Sequence, residues 1–336
     1  MTFRSIEPGR PIRLAFLGCG GVTRKHSKTL KGFPDVKCFY ASRTAEKAEA
    51  FCREWKGSGS FGSYQAAIES AEIDVVFVAT PPDSHLELTL KAIAAGKHVI
   101  VEKPPFFHAS DFDLVETERR ETGVQVMVAE NYFYKPMLRT LRQILGTDVI
   151  GDIKFMFFNA TKTQKTGDWR DEAVQAGGGA LFEGGIHWVN FLSNLGLSVH
   201  SVRGFQPTAS GGSTLERSFQ MVFSYAEGPV ATLLYSWEIN TLFNGLRLSR
   251  IYGTQGSITM ESNGVFVFVR GKKWRFILLP GLSDIVGSKA MFTDFFQALR
   301  TGREPDFTLD LAKRDLVLIE KAYGDARGFN PTPALP

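Results

Sequence analysis

Short apolar runs and helix-length segments alternate along the first third of the chain. Ile12–Leu17 (IRLAFL) reads as a strand and Val22–Leu30 as a helix. After the Phe33-Pro34-Asp35 turn, a strand is expected over Val36–Ala41 and a helix over Ala45–Trp55. A short helix Ala66–Ser70, a buried strand Asp74–Ala79, and a helix Ser84–Ala95 closed by Gly96 follow. His98–Val101 is again a strand, Asp111–Thr122 a helix, and Val124–Ala129 a last strand. Strands rich in Val and Ile, separated by helices of about ten residues, predict a parallel, doubly wound α/β sheet.

The pattern changes after Asn131-Tyr132-Phe133-Tyr134-Lys135-Pro136. Strands are expected over Asp152–Thr161, Ser198–Gln206, Glu216–Ala226, Pro229–Glu238, Leu246–Tyr252, Gly256–Glu261, Val265–Val269 and Lys273–Leu279. Tight turns at Glu227-Gly228-Pro229 and Asn263-Gly264 make this second sheet largely antiparallel. Phe155–Phe158 and Val265–Val269 are apolar at successive positions, whereas a half-exposed antiparallel strand should alternate. Burial on both faces is therefore expected, with another subunit covering the second one. Helices over Lys289–Arg300 and Leu311–Gly324 end the pattern. Two domains follow, residues 10–130 and an α+β domain over residues 131–330 that carries the C-terminal helices.

One stretch combines these signals differently. In Gly177–Asn194 (GGGALFEGGIHWVNFLSN) three glycines precede a run that reads as a helix, apolar on most sides. At about 100° per residue, Glu183, His187, Asn190 and Asn194 fall on one narrow line. Residues four apart lie roughly 5–6 Å between Cβ atoms, close enough for Glu183 to orient the His187 ring. Gly184 and Gly185 each cost about 1 kcal/mol relative to Ala in a helix, which suggests close approach by another backbone or a ligand. Taken alone, the segment reads as a buried helix with one satisfied polar seam.

Composition narrows the partners. The 336 residues include 39 basic and 35 acidic side chains, with the basic ones scattered. That argues against nucleic acid or a membrane surface as main partner. Three cysteines, all near the N-terminus, suggest no disulfide framework, and no Cys/His spacing suggests a metal. The first ten residues lack the apolar core of a signal peptide, and no apolar run approaches the roughly 20 residues of a membrane span. A cytoplasmic protein is expected.

Candidate chemistry gathers at strand ends. Ile12–Leu17 runs directly into Gly18-Cys19-Gly20-Gly21 and then a helix beginning at Val22, the context a dinucleotide fingerprint requires. Bare backbone N–H groups at a helix N-terminus attract a pyrophosphate, and side chains there would block it. Thr23 replaces the third glycine. An NAD enzyme usually places Asp or Glu at the end of the second strand, for the ribose 2′-hydroxyl. Here the sequence reads Ser42-Arg43-Thr44, a hydroxyl and a guanidinium that suit a 2′-phosphate, so NADP is expected in preference to NAD. Thr80-Pro81-Pro82 and Glu102-Lys103-Pro104 follow two other strands, where such sheets bind ligands.

These residues resemble the Gfo/Idh/MocA family of glucose–fructose oxidoreductase, inositol dehydrogenase and rhizopine-catabolism proteins. The resemblance runs nearly the whole chain. It rests on Gly18–Gly21, Thr80-Pro81-Pro82-Asp83-Ser84-His85, Val101–Pro104, Gly177–Gly179 with Glu183 and His187, Gly253–Ser257 and Phe295–Pro305. It implies a Rossmann domain followed by a domain with an open, mostly antiparallel sheet that mediates a homodimer or homotetramer. It also implies oxidation or reduction of sugars, cyclitols or related polyols with NAD or NADP. By position, Lys103 matches the lysine near the nicotinamide and the reacting oxygen, and His187 the proton-transfer histidine. Glu183 and Asn190 stand where the family usually has Asp. The cofactor contacts so implied are Gly18, Cys19, Gly20, Gly21, Val22, Ser42, Arg43, Thr80, Pro81, Pro82, His85, Glu102, Lys103 and Asn131.

The chemistry then follows from residue type. A proton must move to or from the substrate oxygen as hydride moves, and His187 has a side chain whose ordinary pKa of roughly 6.5 suits both directions. Lys103 would stabilise a developing alkoxide, and Glu183 would fix the imidazole. Lys103 and His187 are expected to converge on one spot above the nicotinamide. Trp169, Arg170, Tyr132–Tyr134 and Trp237 are candidates for the substrate pocket, because aromatic faces stack on sugars, and each is equally a core or interface residue. Two other functions use the same fold. One is a nicotinamide-dependent glycosidase acting by transient oxidation and elimination. The other is a non-catalytic NADP-binding regulator, which has no need of a proton-transfer pair.

Overall fold

The computed structural model describes residues 3–207, 215–240 and 246–326. The chain forms two compact units, Met1–Glu130 with Ser288–Lys313, and Asn131–Gly287 with Arg314–Pro336.

The first unit is built on β1 (Ile12–Leu17), β2 (Val36–Ala41), β3 (Gly59–Phe61), β4 (Val75–Val78), β5 (His98–Val101) and β6 (Val126–Val128). These make one sheet of six strands in the order β3-β2-β1-β4-β5-β6, and every pairing is parallel. The helices between them are α1 (Gly21–Leu30), α2 (Ala45–Trp55), α3 (Tyr64–Glu69), α4 (His85–Ala94) and α5 (Asp111–Thr122). Leu14–Leu17, Val75–Val78 and Val99–Val101 all have 0% exposure, as strands covered on both faces should. Gly96 and Gly123 follow α4 and α5 at φ +70°, the left-handed turn that ends many helices. The strand order reverses between β1 and β4, which places a ligand crevice beyond the carboxyl ends of those strands.

The second unit contains α6 (Pro136–Leu145), β7 (Ile153–Thr161), α7 (Ala173–Ala176) and α8 (Ile186–Ser193). Its further strands are β8 (Val199–Phe205), β9 (Ser218–Tyr225), β10 (Val230–Ser236), β11 (Leu248–Gly253), β12 (Gly256–Glu261), β13 (Phe266–Arg270) and β14 (Arg275–Leu278). They form an eight-stranded sheet in the order β14-β13-β12-β11-β7-β10-β9-β8. All pairs are antiparallel except β7 with β10.

Burial in this sheet is one-sided within a single chain. Along β9 and β10 buried and half-buried residues alternate. Met156 and Phe158 are buried, while Phe155 is 64% exposed. Within one chain a single face is covered, and the other carries Phe155, Trp274, Phe276 and Leu278, each above 60% exposure.

The chain ends with α9 (Ser288–Thr301) and α10 (Leu309–Asp325). Contacts group α9 with the first unit. Its apolar face explains this. Phe292 meets the edge of His26 at 5.4 Å between ring centroids, and Phe296 meets Phe33 at 5.3 Å. Among the described residues no helix is long and apolar enough to cross a membrane.

Candidate active site

In the first unit the glycine turn lies between β1 and α1. Gly18 takes φ +111°, and a Cβ there would stand 2.6 Å from the Ala79 carbonyl oxygen, so the fold itself demands glycine. Gly20 and Gly21 differ: a Cβ on either would meet no protein atom within 4 Å. Packing within the protein does not require these two glycines. Thr23 is fully buried and its hydroxyl donates to the Gly18 carbonyl at 2.6 Å. The third-glycine replacement thus ties the turn to its helix. Cys19 is buried, and its thiol faces the Ala41 carbonyl at 3.6 Å.

Two loops follow β4 and β5, and His85 joins them. Its Nδ1 lies 2.8 Å from the Pro104 carbonyl and its Nε2 2.9 Å from the Thr80 carbonyl. The ring is 1% exposed, and burial pushes its pKa down against the pull of those carbonyls. Both ring nitrogens face carbonyls of the protein, so His85, expected among the cofactor contacts, also ties the two loops together. Glu102 is similar. It is buried, and its Oε1 meets His26 Nε2 on α1 at 2.5 Å. Burial pushes this carboxyl up, but the hydrogen bond and charge of His26, then Lys103 and His85, hold it below the usual range. Lys103 follows, half-buried, with a cis peptide to Pro104. At the end of β2, Ser42 is buried and its N–H donates to the Phe61 carbonyl at 3.3 Å, while Arg43 is exposed.

In the second unit the helix over Gly177–Asn194 is not regular. Leu181–Gly185 is a π-helical turn, and α8 begins only at Ile186. The i→i+5 bonding of a π-turn breaks the 3.6-residue period, and such turns are frequent at functional sites. The single polar line expected from the sequence therefore divides by partner. Asn190 and Asn194 belong to the interior: Asn190 Nδ2 donates to Asp315 at 2.7 Å, and Asn194 Nδ2 to the Asn190 carbonyl at 2.7 Å. Glu183, 7% exposed, accepts from Arg170 Nε at 3.2 Å. Arg170 also pairs with Asp168 at 2.5 Å and lies 4.5 Å from the Trp169 ring centroid. Trp169, Arg170 and Glu183 thus come together, although 13 residues separate the last two in sequence.

His187 stacks on Tyr132, with ring centroids 4.4 Å apart and planes within 12°. The Lys135 ammonium lies 3.9 Å from the same Tyr132 centroid. A desolvated contact of that kind contributes roughly 2 kcal/mol, so both His187 and Lys135 hold the Tyr132 ring. Asn131 Nδ2 donates to the Val286 carbonyl at 2.5 Å. Trp237 is buried and donates through Nε1 to Tyr235 Oη at 3.1 Å, which makes it core rather than pocket. Tyr235 also explains Gly184, whereas a Cβ on Gly185 would meet Leu181 Cδ1 at 2.8 Å. A Cβ on Gly184 would stand 2.0 Å from Tyr235 Oη, so the close approach is by a side chain of β10. Burial, then the charge of Glu183, pushes the Tyr235 phenol above its ordinary range.

Each of the three glycines before the π-turn has its own reason. Gly177 ends α7 at φ +69°. A Cβ on Gly178 would press on Phe182 at 2.6 Å, and one on Gly179 would overlap Glu216 Oε2 at 1.8 Å. Glu216 is 3% exposed, and burial pushes it up to about 7 despite hydrogen bonds from Leu181 and Tyr323. Its ionisation therefore opposes folding. The associated stability is complete below the ordinary value of 4.5 and is lost as pH rises through about 7. Sequence reasoning missed Lys135, Glu216, Tyr235 and Tyr323. Only the aromatic segment at Tyr132 and the clustered glycines hinted that something packs there.

Profiles of known families match this chain in two places. One described as an oxidoreductase family with an NAD-binding Rossmann fold (Gfo/Idh/MocA) matches residues 12–130. One for a Gfo/Idh/MocA C-terminal domain matches residues 138–259. Trans-1,2-dihydrobenzene-1,2-diol dehydrogenase of Mus musculus is 28% identical over 189 residues, 54% of this chain and 55% of that protein. The match thus spans about half of that relative's length. A dTDP-3,4-didehydro-2,6-dideoxy-alpha-D-glucose 3-reductase of Streptomyces violaceoruber is 28% identical over 266 residues, 76% of this chain and 74% of that one. Among solved structures, levoglucosan dehydrogenase in complex with NADH and levoglucosan aligns with a TM-score of 0.81. It shares 19% sequence identity, and the alignment covers 94% of this chain and 98% of that one, a likeness of fold.

Proposed function

The chain belongs to the Gfo/Idh/MocA oxidoreductase family, and on that premise we propose that it interconverts a secondary alcohol and a ketone of a sugar, cyclitol or related polyol, using NADP or NAD. The observation that carries this reading is the environment of His187. Of the eight residues of α8 it alone is not buried, and an aromatic stack fixes its ring. An imidazole held rigid at the edge of an otherwise dry helix is built to exchange a proton with something outside. The names of the relatives, a diol dehydrogenase, a deoxysugar reductase and a levoglucosan dehydrogenase, support the substrate class.

The glycine turn fits a dinucleotide, because Gly20 and Gly21 leave open space where side chains would stand. Gly18–Val22, Ser42, Arg43 and the loops at Thr80–Pro82 and Lys103 would hold it. A bound nicotinamide supplies the hydride transfer. Lys103 hydrogen-bonds the substrate oxygen and stabilises its developing negative charge. His187 takes the proton of the alcohol, or returns it to the ketone. Glu183, with Arg170 beside it, orders the wall next to His187. A screen of sugars, cyclitols and keto-sugars with each cofactor, followed by nicotinamide absorbance, tests the reaction class. Release of an aglycone without net cofactor turnover would identify the glycosidase reading instead.

The cofactor preference rests on Ser42-Arg43-Thr44, which offers no carboxylate to a ribose hydroxyl. Lys47 and Arg24 add positive charge near Cys19. A charged hydrogen bond contributes about 1.5–3 kcal/mol, so NADP is expected to bind about tenfold tighter than NAD in a titration of the apo protein. Tighter NAD binding would end that preference. The uncovered face of the second sheet, with Phe155, Trp274 and Phe276, is taken as the contact of a homodimer or homotetramer. Light scattering at micromolar concentration is expected to give more than a monomer's mass, and a monomer would count against it.

A further inference from the structure

The helix that carries Glu183 and His187 begins without a local cap. The first N–H groups of any helix lack intrahelical partners, and here two residues distant in sequence supply them. The Glu216 carbonyl accepts from the Ala180 N–H at 2.8 Å. The Glu216 carboxylate accepts from the Leu181 N–H at 2.9 Å. Tyr323 Oη accepts from the Phe182 N–H at 3.1 Å and donates to the same carboxylate at 2.8 Å. Three successive amides are thus held by the Glu216 backbone, the Glu216 side chain and one phenol. Both residues are buried, and the acid fills the space that Gly179 leaves free.

We propose that Glu216 is a positioning residue for the reaction: seated against Gly179 and joined to Tyr323, it fixes where the π-turn starts, and so where Glu183 and His187 stand. This rests on the reading of His187 as the proton-transfer group. The physical reasoning is in the register. The π-turn has one more residue per hydrogen-bonded ring than an α-turn, so the segment has a competing α-helical arrangement that would rotate Glu183 relative to His187. A ligand set fixed at three consecutive amides selects one start point. A surface cap could satisfy the same N–H groups but would not set their position, because it would move with the helix.

The test compares Glu216→Gln, Tyr323→Phe and His187→Ala, alone and in pairs, in the full-length protein with its cofactor. Displacing a catalytic group by about an ångström costs up to 10²-fold. Glu216→Gln is therefore expected to lower kcat about tenfold, with cofactor Kd within about twofold of wild type. Amide hydrogen exchange over residues 181–187 is expected to speed up. In the His187→Ala background the same substitution is expected to change kcat less than about twofold, because residues acting through one another are non-additive. If Glu216→Gln does not fold, Tyr323→Phe, which removes the shared hydroxyl, is measured in the same two backgrounds. Wild-type kcat in the folded variant, or a second independent tenfold loss on top of His187→Ala, would overturn the positioning role. Full activity of His187→Ala by itself would instead overturn the reaction assignment.

Discussion

His187→Ala and Lys103→Met are each expected to lower turnover by about 100-fold or more, the size expected when acid–base catalysis is lost, with cofactor binding retained. The two losses have different origins. Without the imidazole, the alcohol proton has to leave to water, and only a small share of the reaction can use that route near neutral pH. Without the ammonium, the oxygen accumulates charge with no fixed donor opposite it, and a single such donor is worth about 10²–10³ in rate. Methionine keeps most of the length of the lysine side chain, so packing beside Pro104 changes little. The measurement is steady-state turnover by nicotinamide absorbance, with cofactor Kd from quenching of intrinsic fluorescence. Full activity in both variants would refute the roles given to these side chains.

Two glycines that look alike in sequence should behave in opposite ways. Gly179→Ala is expected to destabilise the protein by about 3 kcal/mol or more, since overpacking of a rigid site typically costs 1–3 kcal/mol. The added Cβ would stand 1.8 Å from Glu216 Oε2 and 2.3 Å from the Glu216 carbonyl oxygen. The carbonyl oxygen cannot retreat without releasing the Ala180 amide, and Oε2 cannot swing away without turning the carboxyl group whose other oxygen, Oε1, holds the Leu181 amide. For a unit of this size that is a fall in Tm of about 6–12 °C. Gly20→Ala is the converse. Its φ of −115° is open to any residue, and no protein atom waits for the Cβ. Its Tm should stay within about 1 °C of wild type, while cofactor affinity falls at least about tenfold because the backbone no longer meets the pyrophosphate closely. Calorimetry and a cofactor titration separate the cases. Equal stability of Gly179→Ala and wild type would contradict the packing at Glu216, and undiminished affinity in Gly20→Ala would contradict the phosphate site.

The first unit was the more legible part of the sequence. Ile12–Leu17, Val36–Ala41 and His98–Val101 are strands over the residues expected, because each is an apolar run bounded by turn residues. Gly59–Phe61 escaped notice because three residues carry no period. The helix Pro136–Leu145 was hidden behind the aromatic segment before it. In Gly177–Asn194 almost every face is apolar, so hydrophobic spacing cannot distinguish an α-turn from a π-turn, and the polar line drawn at 100° per residue divided. His85 and Glu102 belong to recognisable motifs, but a motif does not say whether its side chains face a ligand or hold the loops. The pairing of Arg170 with Glu183 and the cap at Glu216 are set by tertiary packing, with partners 13 and 35 residues away. No local rule reaches that far.

The central claim is that Lys103 and His187 act on the same substrate oxygen. A crystal structure of the protein with NADP and a polyol substrate tests it most directly. The account predicts Lys103 Nζ and a His187 ring nitrogen each within about 3 Å of one oxygen of that polyol, the reach a proton-transfer group needs. Finding either side chain turned into a separate compartment, with the oxygen held by other groups, would contradict it.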